Sequence, residues 1–280
     1  MSLIDLKLCK RSNFKNNLFF YTNMKIKNNF NLWSEYLDIF YSTAPKDDLI
    51  FYFNFCKNFG GNILEFGAGT GRISIPIARS GMEITAIDIS QNMLNKLSKK
   101  IYGKYYEKKI KLIHGDMKGI KLNEQFSLVI IPARTLLLEE NEKDQIKVLE
   151  NAKKHLKKSG RIIFDVYFPD QKMINSNKDD EFLLGVYKDI KNDFRYVMTG
   201  KNYFDKKNQI NYCKQYIEKI DSSGNVVNKI LLPVKTRYLY PEQVINLCEK
   251  SGLNLLNYYG DFNYGEINEN SDDMVFICTK

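Results

Sequence analysis

The sequence is short of the residues that usually mark a special chemistry or compartment. It has two histidines, one tryptophan and six prolines in 280 residues. Its five cysteines (Cys9, Cys56, Cys213, Cys248 and Cys278) are odd in number, widely spaced and never in a C-x-x-C pair. That argues against a disulfide framework or a zinc site and for reduced thiols, and no metal is expected. No run approaches the about eighteen uncharged apolar residues of a membrane span. The opening stretch, MSLIDLKLCKRSNFKNN, breaks every apolar run with charge and does not read as a signal peptide. A soluble cytoplasmic protein is the expectation.

Hydrophobic residues make up 44% of the chain, enough for a sizeable core, so a wholly disordered chain is excluded. Lys and Arg number 42 and Asp and Glu 33, a net charge of +9 that permits anionic partners. The lysines are scattered, however. The run Lys96, Lys99, Lys100, Lys104, Lys108, Lys109 and Lys111 reads as a solvated face more readily than as a nucleic-acid patch.

Residues 1–30 lack a clear period and read as a loosely attached arm or as a short helix and a loop, the arm unit running to residue 32. A helix is expected between Trp33 and Phe59, with Thr43, Pro45, Asp47 and Asp48 as start signals and Gly60–Gly61 as the stop. Short apolar runs then appear at 62–66, 83–87, 110–114, 126–131 and 161–166. Helical stripes lie between them: Ile73, Ile77 and Ala78, then Met93, Leu94, Leu97 and Ile101 behind a Ser90 cap. The last is Ile146, Leu149, Ala152 and Leu156, ending in Lys157, Lys158 and Gly160. Continuously apolar strands separated by amphipathic helices predict an α/β, doubly wound, mostly parallel sheet covered on both faces.

Residues 170–238 break the rhythm. Strand-like runs flank the turn Asp221-Ser222-Ser223-Gly224-Asn225, which predicts an antiparallel β insertion of three or four strands. Pro241 opens another helix and two strands finish the chain. The expected units are an arm (1–32), a cofactor-binding domain (33–169 with 239–280) and the insertion (170–238).

The sharpest signal is Glu65-Phe66-Gly67-Ala68-Gly69-Thr70-Gly71 between a strand and a helix. Side chains at Gly67 or Gly69 would keep a ligand off the backbone. Open α/β sheets bind ligands at this edge. Position 72 is Arg, so the dinucleotide pattern G-x-G-x-x-G is missed by one residue, and the Gly-Lys-Ser/Thr of a phosphate loop is absent. Glu65 suits a ligand with an ammonium group. Asp88 ends the second strand, with Ile89 beside it, and Asp116 with Met117 follows the third.

In this order these landmarks resemble the class I S-adenosylmethionine-dependent methyltransferases, whose first motif reads acidic-x-G-x-G-x-G. The resemblance covers roughly 33–168 and 239–280 and implies a seven-stranded Rossmann-like sheet with S-adenosyl-L-methionine as cofactor and S-adenosyl-L-homocysteine as product. It assigns the cofactor to Glu65, Gly67, Ala68, Gly69, Gly71, Asp88, Ile89, Asp116, Met117 and Pro132. Asp88 would grip the ribose, Asp116 the adenine amine, and Ile89 and Met117 the two faces of the ring. The sequence Leu156-Lys157-Lys158-Ser159-Gly160 is similar to the family's lead into its fifth strand.

Methyl transfer from a sulfonium is an in-line displacement in which the protein mainly aligns the partners. His114 and His155 fall on scaffold elements, so no histidine base is expected. Substrate-side candidates are Tyr36, Tyr41, Arg134, Asp165, Tyr167, Arg237 and Tyr238, each with an alternative reading as packing or a surface ion pair. The absence of an obvious base tilts towards a nitrogen acceptor, with oxygen open.

An insertion after strand five resembles the small-molecule branch that includes the sugar N,N-dimethyltransferases and glycine N-methyltransferase. There it covers the substrate and can join subunits, so a homodimer is compatible. Its tyrosines and cations (Arg195, Tyr196, Tyr203, Tyr212, Tyr216, Arg237, Tyr238) suit a polar, anionic acceptor such as a nucleotide sugar. The rival readings are an RNA methyltransferase, supported only by charge, a Rossmann oxidoreductase, and a non-catalytic cofactor-binding protein.

Overall fold

Strands that are apolar on both faces need cover on both faces, and this requirement sets the architecture. The computed structural model describes residues 29–42, 44–175, 181–189 and 192–280. Residues 1–28 of the expected arm, and Thr43 among the expected helix-start signals, lie outside the described residues.

Helices α1 (Phe30–Trp33), α2 (Leu37–Ser42) and α3 (Asp47–Phe59) come first. Asp47 and Asp48 occupy the first turn of α3, where carboxylates favour the helix dipole, and Gly60 ends it at φ 71°. The alternating region follows as β1 (Ile63–Phe66), α4 (Ser74–Arg79), β2 (Ile84–Asp88), α5 (Gln91–Ile101), β3 (Ile110–His114) and β4 (Phe126–Ile131). Ser90 caps α5 by accepting the Met93 N–H. Then come α6 (Glu142–His155), β5 (Leu156–Tyr167) and α7 (Gln171–Asn175).

Strand five starts earlier than its sequence suggests. The helix before it ends at His155 rather than at Lys157–Gly160, and Leu156 is already extended. Leu156 pairs with Phe126 of β4 and is fully buried, and this burial outweighs the lysines' preference for a last helical turn. Gly160 is required there because a Cβ would come within 2.8 Å of the Ser127 carbonyl.

The insertion forms β6 (Phe182–Asp189), β7 (Phe194–Asp205), β8 (Ile210–Ile220) and β9 (Val226–Arg237). These make a separate antiparallel sheet in sequence order. The Asp221 carboxylate fixes its last turn by accepting the Ser223 and Asn225 N–H groups, with Gly224 at φ 86°. Helix α8 (Pro241–Lys250) and strands β10 (Asn254–Tyr259) and β11 (Asp273–Thr279) close the chain.

The main sheet has the order β10-β11-β5-β4-β1-β2-β3. Strands β1 to β5 are parallel, and β11 runs antiparallel to both β5 and β10. Alternation sends Leu64, Phe66 and Val129 to a core under α6 and α8. Ile63, Leu128 and Ile130 go to a second core under α3, α4 and α5. Because β1 lies between β2 and β4, the winding direction reverses at β1. A crevice opens there at the strands' carboxyl ends.

Candidate functional site

The loop after β1 needs its glycines for different reasons. Gly67, Gly69 and Gly71 all sit at positive φ, at 75°, 54° and 90°. A side chain on Gly67 would overlap Thr135, and one on Gly71 would overlap Leu97 in the core. At Gly69 the nearest obstacle is Leu37 Cδ2 at 3.2 Å, so this bare backbone faces a cavity and not the core. Gly67 and Ala68 both donate their N–H to the Ile87 carbonyl at 2.9 Å, which ties the loop to β2. Gly71→Ala should therefore lower the melting temperature by several degrees, through core overlap and backbone strain. Gly69→Ala should cost less stability and weaken ligand binding more. Thermal melts with and without ligand separate the two, and an equal loss of stability from both changes would refute the assignment.

Asp88 anchors the same loop from β2. Its Oδ2 accepts the Gly69 N–H at 2.7 Å and its Oδ1 accepts the Ser90 N–H at 2.8 Å. A carboxylate offers about four acceptor positions, so about two remain for a ligand at the cavity edge. Burial raises the pKa of this carboxyl, and the two backbone hydrogen bonds oppose the shift.

Asp116 follows β3. Its Oδ1 accepts the Lys118 N–H at 2.9 Å, and Lys118 Nζ bridges to Glu139 at 2.7 Å. Met117 packs half-buried against the core. Ile89 is 52% exposed although apolar, a plate with one face open to the cavity.

Beyond β4 the backbone is strained. Ala133 and Arg134 are consecutive non-glycine residues at φ 57° and 60°. The Asp165 carboxylate holds them: its Oδ2 accepts the Arg134 N–H at 2.8 Å, and its Oδ1 accepts the Tyr52 hydroxyl at 2.6 Å. Burial pushes the Asp165 pKa up to about 7. The Arg134 side chain bonds Asp273 at 2.7 Å and lies 5.8 Å from the Tyr167 ring centre.

All of this surrounds one cavity of about 780 Å³. Its floor is the glycine loop and Asp88, and its roof is Leu37, Phe40 and Tyr41 from α2. The far wall is the inner face of the second sheet. The roof is clamped down by Asp38, which accepts from Thr70 Oγ1 and Lys100 Nζ, both at 2.6 Å.

Of the residues singled out from the sequence, the cavity gathers Gly67, Gly69, Asp88, Ile89, Asp116, Met117, Tyr41, Arg134 and Tyr167. It does not gather Glu65, which is buried behind the loop and bonded by the Ser74 hydroxyl, its pKa raised by burial to about 8. Ala68, Gly71 and Pro132 also stand behind the lining; the Pro132 carbonyl accepts from Thr135. Tyr36 packs into the cluster between α1, α2 and the second sheet. Asp165 supports the wall from behind. Arg237 donates to Gln145 Oε1 at 2.6 Å, and Tyr238 is buried against Phe204 and Tyr240.

The insertion's tyrosines and cations do not coat the cavity as expected. Tyr212 and Tyr216 alternate with the cavity-facing residues of β8 and so point to the opposite face, where Lys235 and Lys229 stack on them. The wall is instead Asn202, Asn211, Gln215 and Thr236 with apolar neighbours. These residues were missed, although a period-two reading of QINYCKQYIEKI separates Asn211 and Gln215 from Tyr212 and Tyr216. His114 bonds the Ile89 carbonyl and His155 bonds the Leu122 N–H and the Asn151 carbonyl, so both serve the scaffold. In the lysine run, Lys96, Lys100, Lys109 and Lys111 pair with Glu35, Asp38, Glu83 and Glu124. That is the arrangement of a solvated face.

Comparison with known proteins points the same way. Residues 63–160 match a family described as a methyltransferase domain. YqeM of Bacillus subtilis (strain 168), an unproven methyltransferase, is 30% identical over 132 residues, covering 44% of this chain and 52% of that protein. The cypemycin N-terminal methyltransferase of a Streptomyces species is 27% identical over 110 residues, covering 39% and 43%. The chain thus spans about half the length, or less, of the curated relatives it matches. Among solved structures, the CcbJ methyltransferase of Streptomyces caelestis superposes with a TM-score of 0.71 at 20% identity, covering 84% of this chain and 96% of that one. An S-adenosylmethionine-dependent methyltransferase of Clostridium acetobutylicum ATCC 824 gives 0.71 at 18%, covering 89% and 98%. CalS10 of Micromonospora echinaspora, an amino pentose methyltransferase, gives 0.64 at 11%, covering 97% and 99%. Residues 63–160 match a methyltransferase-domain family, and the fold that surrounds them is shared with these solved methyltransferase structures.

Proposed function

We propose that the protein transfers a methyl group from S-adenosylmethionine to a nitrogen or oxygen of a small polar metabolite, with sugars among the candidate acceptors. One observation carries the reading. Asp88 fixes the bare backbone at Gly69 and still has acceptor positions to spare at the edge of the crevice where the sheet's winding reverses. When bound, the cofactor supplies a methyl on a sulfonium sulfur that departs as a neutral thioether.

The chain's own residues bind and orient. Asp88 would receive the ribose hydroxyls, Asp116 the adenine amine, and Ile89 with Met117 the faces of the ring. Leu37, Phe40 and Tyr41 exclude water above. The tyrosines of the lining are poor proton acceptors: burial lifts the Tyr167 hydroxyl to about 12 and raises Tyr41 as well. Alignment is then the main source of rate, and it can contribute about 7–11 kcal/mol. The cavity size suits a metabolite, and the name of CalS10 supports a sugar acceptor.

Melting temperatures distinguish this from a nicotinamide enzyme. S-adenosylhomocysteine at a hundred times its dissociation constant should add about 2.7 kcal/mol of stability, while NADH at millimolar concentration should add none. A shift with NADH alone would reverse the conclusion.

A further inference from the structure

The wall that the second sheet gives to the cavity is polar where a plain cover would be apolar. On β8, Asn211, Cys213 and Gln215 share the cavity face, with Asn202 of β7 paired to Cys213 and Thr236 of β9 paired to Asn211. Asn211 Nδ2 donates to Asn202 Oδ1 at 3.2 Å. That bond uses the nitrogen end of the Asn211 amide. The oxygen ends are left over: Asn211 Oδ1 and Gln215 Oε1 are buried and have no hydrogen-bond partner among the described residues. Buried polar atoms are rarely left so, because each unmade bond is costly. What both atoms lack is a donor.

The charge in the lining has one sign in excess. Asp88, Asp116, Glu139, Asp170, Asp272 and Asp273 line the cavity, against Arg134 alone among the described residues. Arg134 is already engaged by Asp273. A phosphate entering here would meet carbonyl oxygens and carboxylates with no unengaged cation. An amine would bring donors for both oxygens and a charge of the favoured sign.

We infer that the acceptor is an amine without a phosphate group, held by hydrogen bonds from its nitrogen or adjoining hydroxyls to Asn211 Oδ1 and Gln215 Oε1. The inference rests on the methyl-transfer reading and narrows its acceptor. An amine arriving protonated first gives a proton to water. Its lone pair then forms the N–C bond while the C–S bond breaks with both electrons passing to sulfur. The methylated nitrogen returns its remaining excess proton to water.

The test uses the full chain, methyl-labelled S-adenosylmethionine and a small-metabolite extract split by ion exchange into cation-retained, unretained and anion-retained pools. Label should enter the cation-retained pool. Gln215→Leu and Asn211→Leu should each reduce that transfer about tenfold or more at limiting acceptor, since a ligand donor loses its partner in a buried site. Gln215→Glu, which keeps an acceptor oxygen, should stay within about threefold of the parent on the same argument. Each variant should keep the parent's melting shift with S-adenosylhomocysteine; a leucine variant that loses it is replaced by the alanine variant. Label only in the unretained or anion-retained pools overturns the inference and leaves methyl transfer standing. Unchanged transfer by both leucine variants overturns it too. Label in no pool does the same, and an absent S-adenosylhomocysteine shift in the parent then removes the methyl-transfer reading with it.

Discussion

Asp88→Ala should weaken S-adenosylhomocysteine binding by about a hundredfold or more, measured by titration calorimetry. Two effects combine. A carboxylate receiving two hydroxyl donors contributes about 1.5–3 kcal/mol for each, and both are lost. The Gly69 and Ser90 N–H groups also lose their acceptor, so the loop that forms the floor is no longer held where the ligand needs it. Asp88→Asn should fall between, because one oxygen survives while the amide cannot accept at both backbone donors. An affinity within about threefold of the parent for Asp88→Ala would mean that Asp88 is a loop anchor and nothing more.

Asp165→Leu should cost about 3–5 kcal/mol of stability, read as a lowered urea midpoint with little change in slope. The Tyr52 hydroxyl and the Arg134 N–H would lose their shared acceptor, and the left-handed pair Ala133–Arg134 would lose its tether. The same residue gives the parent a pH signature. Its folded pKa of about 7 lies above the ordinary aspartate value of about 3.9, so the folded state keeps a proton that the unfolded chain releases. The contribution is complete below about pH 4, falls as pH rises towards 7, and is level above that, by at most about 1.4 kcal/mol per pH unit. In Asp165→Asn this share of the slope should be lost, leaving the share that Glu65, raised to about 8, contributes over the same range. An unchanged pH profile would mean that the carboxyl stays ionised in the folded state.

The α/β plan could be read because its strands are apolar throughout: NILEF, EITAI and FSLVII have no polar face to misplace. The glycine loop was equally open, since three glycines between a strand and a helix have few other uses. Asp88 could be placed at the site because a strand end at the sheet's carboxyl edge has one place to point. Glu65 read as a partner for a ligand's ammonium group, because nothing local says that Ser74, nine residues later, turns back to bond it. Asp165 read as a substrate-side acid for the same reason: its partners Tyr52 and Arg134 are 113 and 31 residues away in sequence. The inward face of the insertion was misread on parity. Composition shows that the insertion is rich in tyrosine, but which of two alternating sets faces inward depends on the register of β8 against its neighbours. Leu156 marks the limit of helix-end signals: lysines and a glycine in sequence give way when a leucine can be buried beside Phe126.

The cavity's two halves come from separate stretches of chain. Gly69, Asp88 and Asp116 stand at or just beyond the ends of the first three strands, while Asn202, Asn211, Gln215 and Thr236 stand on a sheet with its own turns and its own ladder of bonds. The two halves can therefore change independently. Exchanging a few side chains on alternate positions of three strands would reshape one half of the cavity without disturbing the other, so one scaffold can be inherited intact while the molecules it accepts turn over.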